Sequence, residues 1–486
     1  MAAPPSEYPV LARQSTISQL PPEYPADAQD QISELLSTSS LSRLVVLDDD
    51  PTGTQTCHDI SVLTVWDIPT LTQELQQTSP GFFILTNSRA LPPLEAEKLI
   101  HTICENVLQA AKQAGQTVDI VLRGDSTLRG HFPLEADVAQ SVFGPADAII
   151  LAPFFFQGGR LTINDIHYVA EGETLVPAGA TQFARDATFG YKSSNLRDYV
   201  MEKASGRFTA EQIHSITIED IRTGGPSTVC EKLLHFPKGS VVIVNAAAES
   251  DMHVFVAGLL LARSHSPQSH YLYRTGAAFV STSLGIRSQP PLTAHALSLP
   301  QPRKTGALII AGSYVPKTTA QLKVLTDRRG PTGSNDLSII ELDVEDLIAS
   351  ANQAEDMISR VVRDVETQLL SGKDTLVMTS RKLVKGQDEL SSLAIGTKVA
   401  EALVQVLRRV EVRPRFVVAK GGITSSDAAT KGLNIKRALI VGQAAPGVPL
   451  WRCDEPSSRH AGVPFVVFPG NVGGEETLCE LVAAWS

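Results

Sequence analysis

LVVLDDDPTGTQT, residues 44–56, is the stretch on which the reading of the chain turns. Four apolar residues run without interruption from Leu44 to Leu47 and end directly in Asp48, Asp49 and Asp50, followed by the turn formers Pro51, Thr52 and Gly53. A short apolar run closed by turn residues reads as a strand buried on both faces, as in parallel sheets. Three successive carboxylates repel one another, so a dry core would hold them only with cations, positive side chains or backbone donors nearby. At the carboxyl end of a parallel strand they lie where α/β proteins bind ligands. A solvated Asx turn is the other reading of the same residues. Successive side chains on a strand point to opposite faces, so the three carboxylates need not share one role.

The same grammar recurs outward from this stretch. Short apolar runs appear at FFIL (82–85), VDIVL (118–122), AIILA (148–152) and VVIV (241–244), then at ALIIAG (307–312), LVMTS (376–380), FVVAKG (416–421) and VPFVVF (463–468). Amphipathic stretches lie between several of them. In 94–114, Leu99, Ile103, Val107 and Leu108 fall near one helical side and Gly115 is a natural stop. Met357, Val361, Val365 and Leu369 repeat the pattern before Gly372, as do Leu393, Val399, Leu403 and Leu407. Buried strands alternating with helices predict an α/β chain of two unlike domains, with largely parallel or mixed sheets and an active-site cleft between them. The proline-rich stretch SLGIRSQPPLTAHALSLPQPRK (283–304) breaks the rhythm. It places a first domain at 41–285, a linker at 286–304 and a second domain at 305–486. Residues 1–40, rich in proline and small polar residues and without a basic segment leading into an apolar core, read as a flexible extension rather than a signal peptide.

Bulk properties exclude several classes. Across 486 residues, 42 Lys plus Arg against 52 Asp plus Glu leave a net charge of -10, which argues against non-specific nucleic-acid binding. No stretch approaches the roughly 20 apolar residues of a membrane-spanning helix, so no membrane partner is expected. Five scattered cysteines form no CxxC pair, which suggests neither a disulfide framework nor a zinc site and makes a reduced, cytoplasmic setting the expectation.

VDIVLRGDSTLRGHFPLE supplies Arg123, Asp125, Ser126, Arg129 and His131 after another strand. Guanidinium groups grip a carboxylate bidentately, and hydroxyls read neighbouring oxygens. Arg123 pairing with a local acid to fix the loop is the competing reading. GGRLTINDIHYV adds Arg160, Asn164, Asp165 and His167, suited to the hydroxyls of a small polar substrate; without HxxxH spacing or a partner cysteine, no dedicated metal site is expected. RTGAAFV adds Arg274 and Gly276. In the second half, Gly312 and Ser313, then Gly421, Gly422, Ile423 and Thr424, then Gly470 and Gly473 follow apolar strands. Glycine allows close backbone approach, and Ser or Thr adds donors, as in a phosphate cradle. Neither GxxxxGK[ST] nor a GxGxxG fingerprint after a strand is present.

The ordered set DDPTG (Asp49–Gly53), GDSTLRGHFPLE, GRLTINDIHYV, RTGAAFV, GGITSSDAA and PGNVG, spread over about 44–480 and so over nearly the whole chain except its amino-terminal extension, resembles the four-carbon acid sugar kinase family. The resemblance implies an amino-terminal substrate domain and a carboxyl-terminal nucleotide domain. It also implies ATP-dependent phosphorylation of the 4-hydroxyl of 3-oxo-tetronate, D-threonate or D-erythronate, with Mg²⁺. Asp49 or Asp50 would then receive the hydroxyl proton; Arg123, Asp125, Ser126, Arg129 and Arg160 would bind the acid; and Ser313, Gly421, Gly422, Ile423, Thr424, Gly470 and Gly473 would bind the nucleotide. A homodimer is a candidate assembly. Two motifs depart from the family pattern: DDDPTGTQT stands where DDFTGA is usual, and FPGNVGG where KSGNFG is usual, without its lysine. Lys420 is a candidate replacement for that charge. A sugar-acid dehydrogenase or lyase, or a non-catalytic sugar-acid or nucleotide-binding protein, is the alternative.

Overall fold

The computed structural model describes residues 8–38, 42–312, 316–380 and 389–486. The chain forms two distinct α/β units, one of Met1–Cys57 with Val65–Ser288 and one of His58–Thr64 with Gln289–Ser486.

In the first unit a parallel sheet runs in the order Ile213–Ile216, Ser240–Val244, Ala148–Ala152, Tyr271–Thr275, Val118–Arg123, Arg43–Asp48, Gly81–Leu85. Val45, Val46 and Leu47 are buried along the Arg43–Asp48 strand, which explains their unbroken apolarity: neither face of this strand meets water. The helix Pro93–Ala114 buries Ile100, Ile103, Cys104 and Val107, and Gly115 ends it in the left-handed conformation. A separate four-stranded antiparallel sheet contains Arg160–Ile163, Ile166–Glu171, Thr174–Pro177 and Leu11–Ala12. The backbone of Thr162 exchanges hydrogen bonds with Ala246, just past the end of the Ser240–Val244 strand, so this small sheet is tied to the carboxyl edge of the large one.

The expected flexible extension is, over residues 8–38, a docked segment. Leu11 and Ala12 pair with Leu175 and Thr174, and the helix Ala28–Thr38 buries Ala28 and Ile32. Arg222, held bidentately by Asp251 at 2.7 and 2.9 Å, also donates to the Pro21 carbonyl at 2.8 Å. The prolines and polar residues that suggested disorder flank AQDQISELLST, an amphipathic sequence whose apolar residues find a partner only in the folded unit.

In the second unit a mixed sheet runs Ile60–Leu63, Arg437–Ala445, Val448–Cys453, Pro464–Phe468, Val417–Lys420, Leu308–Ala311, Asp374–Thr379, Leu337–Leu342. Its first three junctions are antiparallel and the rest parallel. The stretch expected as a linker belongs largely to this unit. Leu299 is buried in its core, with Leu292 and Leu297 packed against it, and Trp485 Nε1 donates to the Leu292 carbonyl at 3.0 Å. Prolines removed the strand–helix rhythm there, but the leucines between them still bury apolar surface.

Candidate functional site

Three neighbouring parallel strands of the first unit, Gly81–Leu85, Arg43–Asp48 and Val118–Arg123, end side by side, with Asp48 in register with both Leu85 and Arg123. The residues after them therefore converge although the chain separates them. Arg123 Nη1 lies 3.2 Å from Asp48 Oδ1 and 3.8 Å from Asp49 Oδ1. Arg89 Nη1 lies 3.9 Å from Asp49 Oδ1 and 3.7 Å from Asp125 Oδ1, while its Nη2 pairs with Asp50. Arg129 Nε donates to Asp125 Oδ2 at 2.6 Å, and Arg274 Nη2 donates to the Arg129 carbonyl at 3.1 Å.

The carboxylates are not equivalent. Burial alone would raise Asp50, but Arg89 and the amide and hydroxyl of Thr52, at 2.9 and 2.5 Å, hold it below the ordinary aspartate range. Burial likewise opposes ionisation of Asp125, but Arg129, Arg89 and the Thr127 hydroxyl hold it far below that range. Asp48 goes the other way. Burial, reinforced by Asp49 and Asp50, outweighs Arg123 and pushes it up to about 8. Asp49 is 2% exposed, and neither carboxylate oxygen has a hydrogen-bond partner. Two guanidiniums hold it from a distance, leaving its oxygens uncommitted. Beside this group, Ser88 donates to Glu135 at 2.6 Å, and burial pushes Glu135 up to about 7.

Gly53 is required by this packing: a Cβ there would sit 2.0 Å from Asp48 Oδ1. Gly53→Ala should destabilise the chain by about 1–3 kcal/mol through overpacking. Urea unfolding checks this; an unmoved midpoint would mean that the Asp48 carboxyl shifts at no cost.

A second group of cations surrounds Phe183. The Arg129 and Arg160 guanidiniums lie 5.2 and 5.7 Å from its ring centroid. Arg160 Nη1 donates to the Gly158 carbonyl, and its Nε is buried without a partner. Ser126 is buried, and its carbonyl accepts from His167 Nε2 at 2.8 Å, while His167 Nδ1 accepts from Thr162 Oγ1 at 2.9 Å. Burial pushes His167 down to about 4, so it is a neutral brace. His131 holds the Ser88 and Leu91 carbonyls, each at 3.1 Å, and burial lowers it too. Asp165 accepts from Asn245 and Ser215 and belongs to the same scaffolding. Among the described residues, no group of three His, Cys, Asp or Glu side chains could hold a metal ion.

Arg89 is the central cation that sequence reasoning missed. Its signal was positional: it lies four residues beyond the strand Gly81–Leu85, on the same sheet edge as the acidic turn. Glu135 and Ser88 gave no signal, because nothing in FFILTNSRA or HFPLE marks them as partners.

In the second unit, Pro464–Phe468, Val417–Lys420 and Leu308–Ala311 are adjacent and parallel, with Lys420 opposite both Phe468 and Ala311. The loops carrying Gly312, Gly421 to Thr424, and Gly470 to Gly474 thus leave one edge side by side. Ser313 lies outside the described residues. Gly421, at φ +112°, occupies backbone space that side chains avoid and donates to the Phe468 carbonyl at 2.8 Å. Ile423 is 63% exposed beside it. Lys420, expected as a replacement charge facing phosphate, is fully buried: Nζ donates to the Pro469 carbonyl at 2.5 Å and lies 4.3 Å from the Phe468 ring centroid. Burial pushes it down to about 7. The exposed lysine at these loops is Lys317, whose Nζ is 3.4 Å from the Asn471 carbonyl.

Residues 44–283 match the model of a sugar-binding N-terminal domain, and residues 308–478 that of a nucleotide-binding C-terminal domain. The chain is 24% identical over 470 residues to the D-erythronate kinase of Heliobacterium modesticaldum, covering 91% of this chain and 97% of that one. A structure described as a putative tRNA synthase from Salmonella typhimurium LT2 shares the fold, with a TM-score of 0.62 at 16% identity, over 90% of this chain and 98% of that one. A Haemophilus influenzae protein of the DUF1537 family does so with a TM-score of 0.58 at 18% identity, over 91% and 100%.

Proposed function

The chain belongs to the four-carbon acid sugar kinase-like family, and from that premise we propose that it transfers a phosphoryl group from ATP to the terminal 4-hydroxyl of a four-carbon sugar acid. 3-Oxo-tetronate, D-threonate and D-erythronate are the substrates to try, D-erythronate first because the curated relative is named for it.

The observation that carries this reading is Asp49. Of the four aspartates at the sheet edge, Asp50 and Asp125 are committed to short charged hydrogen bonds, and Asp48 sits against Arg123 with its pKa raised. Asp49 alone among them has both oxygens free of hydrogen bonds. A carboxylate so placed can take the hydroxyl proton as the oxygen attacks phosphorus. Arg129 and Arg160, braced by Phe183, are the cations for the acid's own carboxylate. The glycine loops of the second unit fit polyphosphate, because no described residue accepts from the amides of Gly470, Asn471, Val472 or Gly473. Mg²⁺ fits as an ion arriving on the nucleotide, which takes one or two protein carboxylates rather than a protein cage. It would supply charge neutralisation on the phosphates.

Release of ADP from Mg-ATP, measured across four-carbon acids, their stereoisomers and 3-oxo forms, tests the proposal. ADP should form with at least one acid and depend on its stereochemistry. Acid and nucleotide binding without ADP formation across the panel would leave a binding protein instead.

A further inference from the structure

We propose that Gln321 is a positioning residue that presents the amides of loop 469–474 to the nucleotide; the inference rests on the nucleotide-binding reading of that loop. Gln321 lies on the helix Pro316–Arg329 and is fully buried. Its Nε2 donates to two carbonyls of the loop, Val472 at 3.1 Å and Gly474 at 2.8 Å. The same helix offers Thr318 Oγ1 to the Gly470 carbonyl at 3.5 Å and Lys317 Nζ to the Asn471 carbonyl at 3.4 Å. From the neighbouring strand, Lys420 Nζ holds the Pro469 carbonyl at 2.5 Å. Side-chain donors therefore face the carbonyls of Pro469, Gly470, Asn471, Val472 and Gly474.

Peptide planarity gives this grip a direction. In a trans peptide the N–H of one residue points opposite to the C=O of the residue before it. Holding the carbonyls of 470 to 472 on the helix side turns the amides of Asn471, Val472 and Gly473 away from that side, and Lys420, by holding the Pro469 carbonyl, turns the Gly470 amide away from itself. Those are the amides for which no described residue supplies an acceptor. A loop this rich in glycine has little stiffness of its own, so something outside it must select this conformation. Gln321 is the best-placed selector. Its two bonds are the shortest that the helix makes to the loop, and it spans the loop's last turn. Its Oε1 is buried without a partner, yet the amide keeps this orientation, because turning it over would set oxygen against two carbonyls.

Gln321→Met keeps the length of the side chain and removes both donors. In the full-length protein, we expect the Kd for Mg-ADP by calorimetry and the KM for ATP to rise tenfold or more. The KM for the sugar acid should stay within about twofold, since the loop belongs to the other ligand. Gln321→His retains one ring donor and should fall between the parent and the Met variant; if the Met variant is insoluble, it carries the test alone. A lowered melting temperature with parent-like Mg-ADP affinity in the variant tested would overturn the inference, because Gln321 would then be only a packing residue. If the parent itself binds no Mg-ADP, the nucleotide reading fails first and takes this inference with it.

Discussion

Asp49→Asn should lower kcat by about 10²- to 10⁴-fold, the usual contribution of a positioned general base, and leave the affinity for Mg-ADP within twofold of the parent. Asparagine preserves the volume and contacts of the carboxylate but cannot take the hydroxyl proton. The neighbouring aspartates are poor understudies: Asp50 and Asp125 are held ionised by Arg89, Arg129 and hydroxyl donors, which lowers their basicity. Asp48 is more basic than Asp50 and Asp125, but it packs against Gly53 and its Oδ1 is taken by Arg123 at 3.2 Å. Substitution at Asp49 relieves like-charge repulsion with Asp48 and Asp50 as it removes a partner of Arg89 and Arg123, so the net change in stability should be small. The pairing of lost turnover with retained stability separates a chemical role from a structural one. Turnover within threefold of the parent would remove Asp49 as the base. Asp50→Asn should instead loosen the acidic turn, because it removes the charge that pairs with Arg89 Nη2 while its amide oxygen can still cap Thr52.

What the sequence allowed to be read followed locality. LVVLDDDPTGTQT announced a doubly buried strand and its charged end because both signals lie within thirteen consecutive residues. The alternation of such runs with amphipathic stretches was enough for two α/β domains. Arg89 was not legible, since its importance comes from strand order: Gly81–Leu85 lies beside Arg43–Asp48 in the sheet. The amino-terminal segment was misread because its composition describes only its exposed residues, whereas Ile32 and the Arg222–Pro21 contact matter only once a distant helix is present. Lys420 was read as a free cation next to a glycine pair. It proves to be buried because its strand position points it beneath the neighbouring loop, a fact fixed by register with Phe468. Local chemistry was visible in each case; which groups share an edge was not.

The largest effect on stability should come from Arg89→Met, a loss of about 3–5 kcal/mol, as found when one partner of a buried ion pair is removed. The Arg89 side chain is 17% exposed, and its guanidinium faces Asp49, Asp50 and Asp125 together, so methionine fills the space but leaves three carboxylates with less compensation. The pH dependence separates this electrostatic account from simple mispacking. Arg89 helps hold Asp50 and Asp125 below their ordinary value of 3.8, so the stability they contribute is present above that pH and is lost as pH falls through their lower folded values. Without Arg89 those folded values rise towards the unfolded one and the contribution shrinks. The deficit of the variant should therefore be full at pH 7 and narrow on acidification below about pH 4, as carboxylates lose their charge in both states. Urea midpoints measured from pH 7 to the lowest pH at which the parent stays folded will show it. A deficit that is constant or grows on acidification would mean that Arg89 matters for its packing alone. Arg89→Lys sharpens the comparison, since one ammonium cannot reach three carboxylates with the spread of a guanidinium fork. It should recover part of the stability while leaving the Asp49 environment, and with it turnover, impaired.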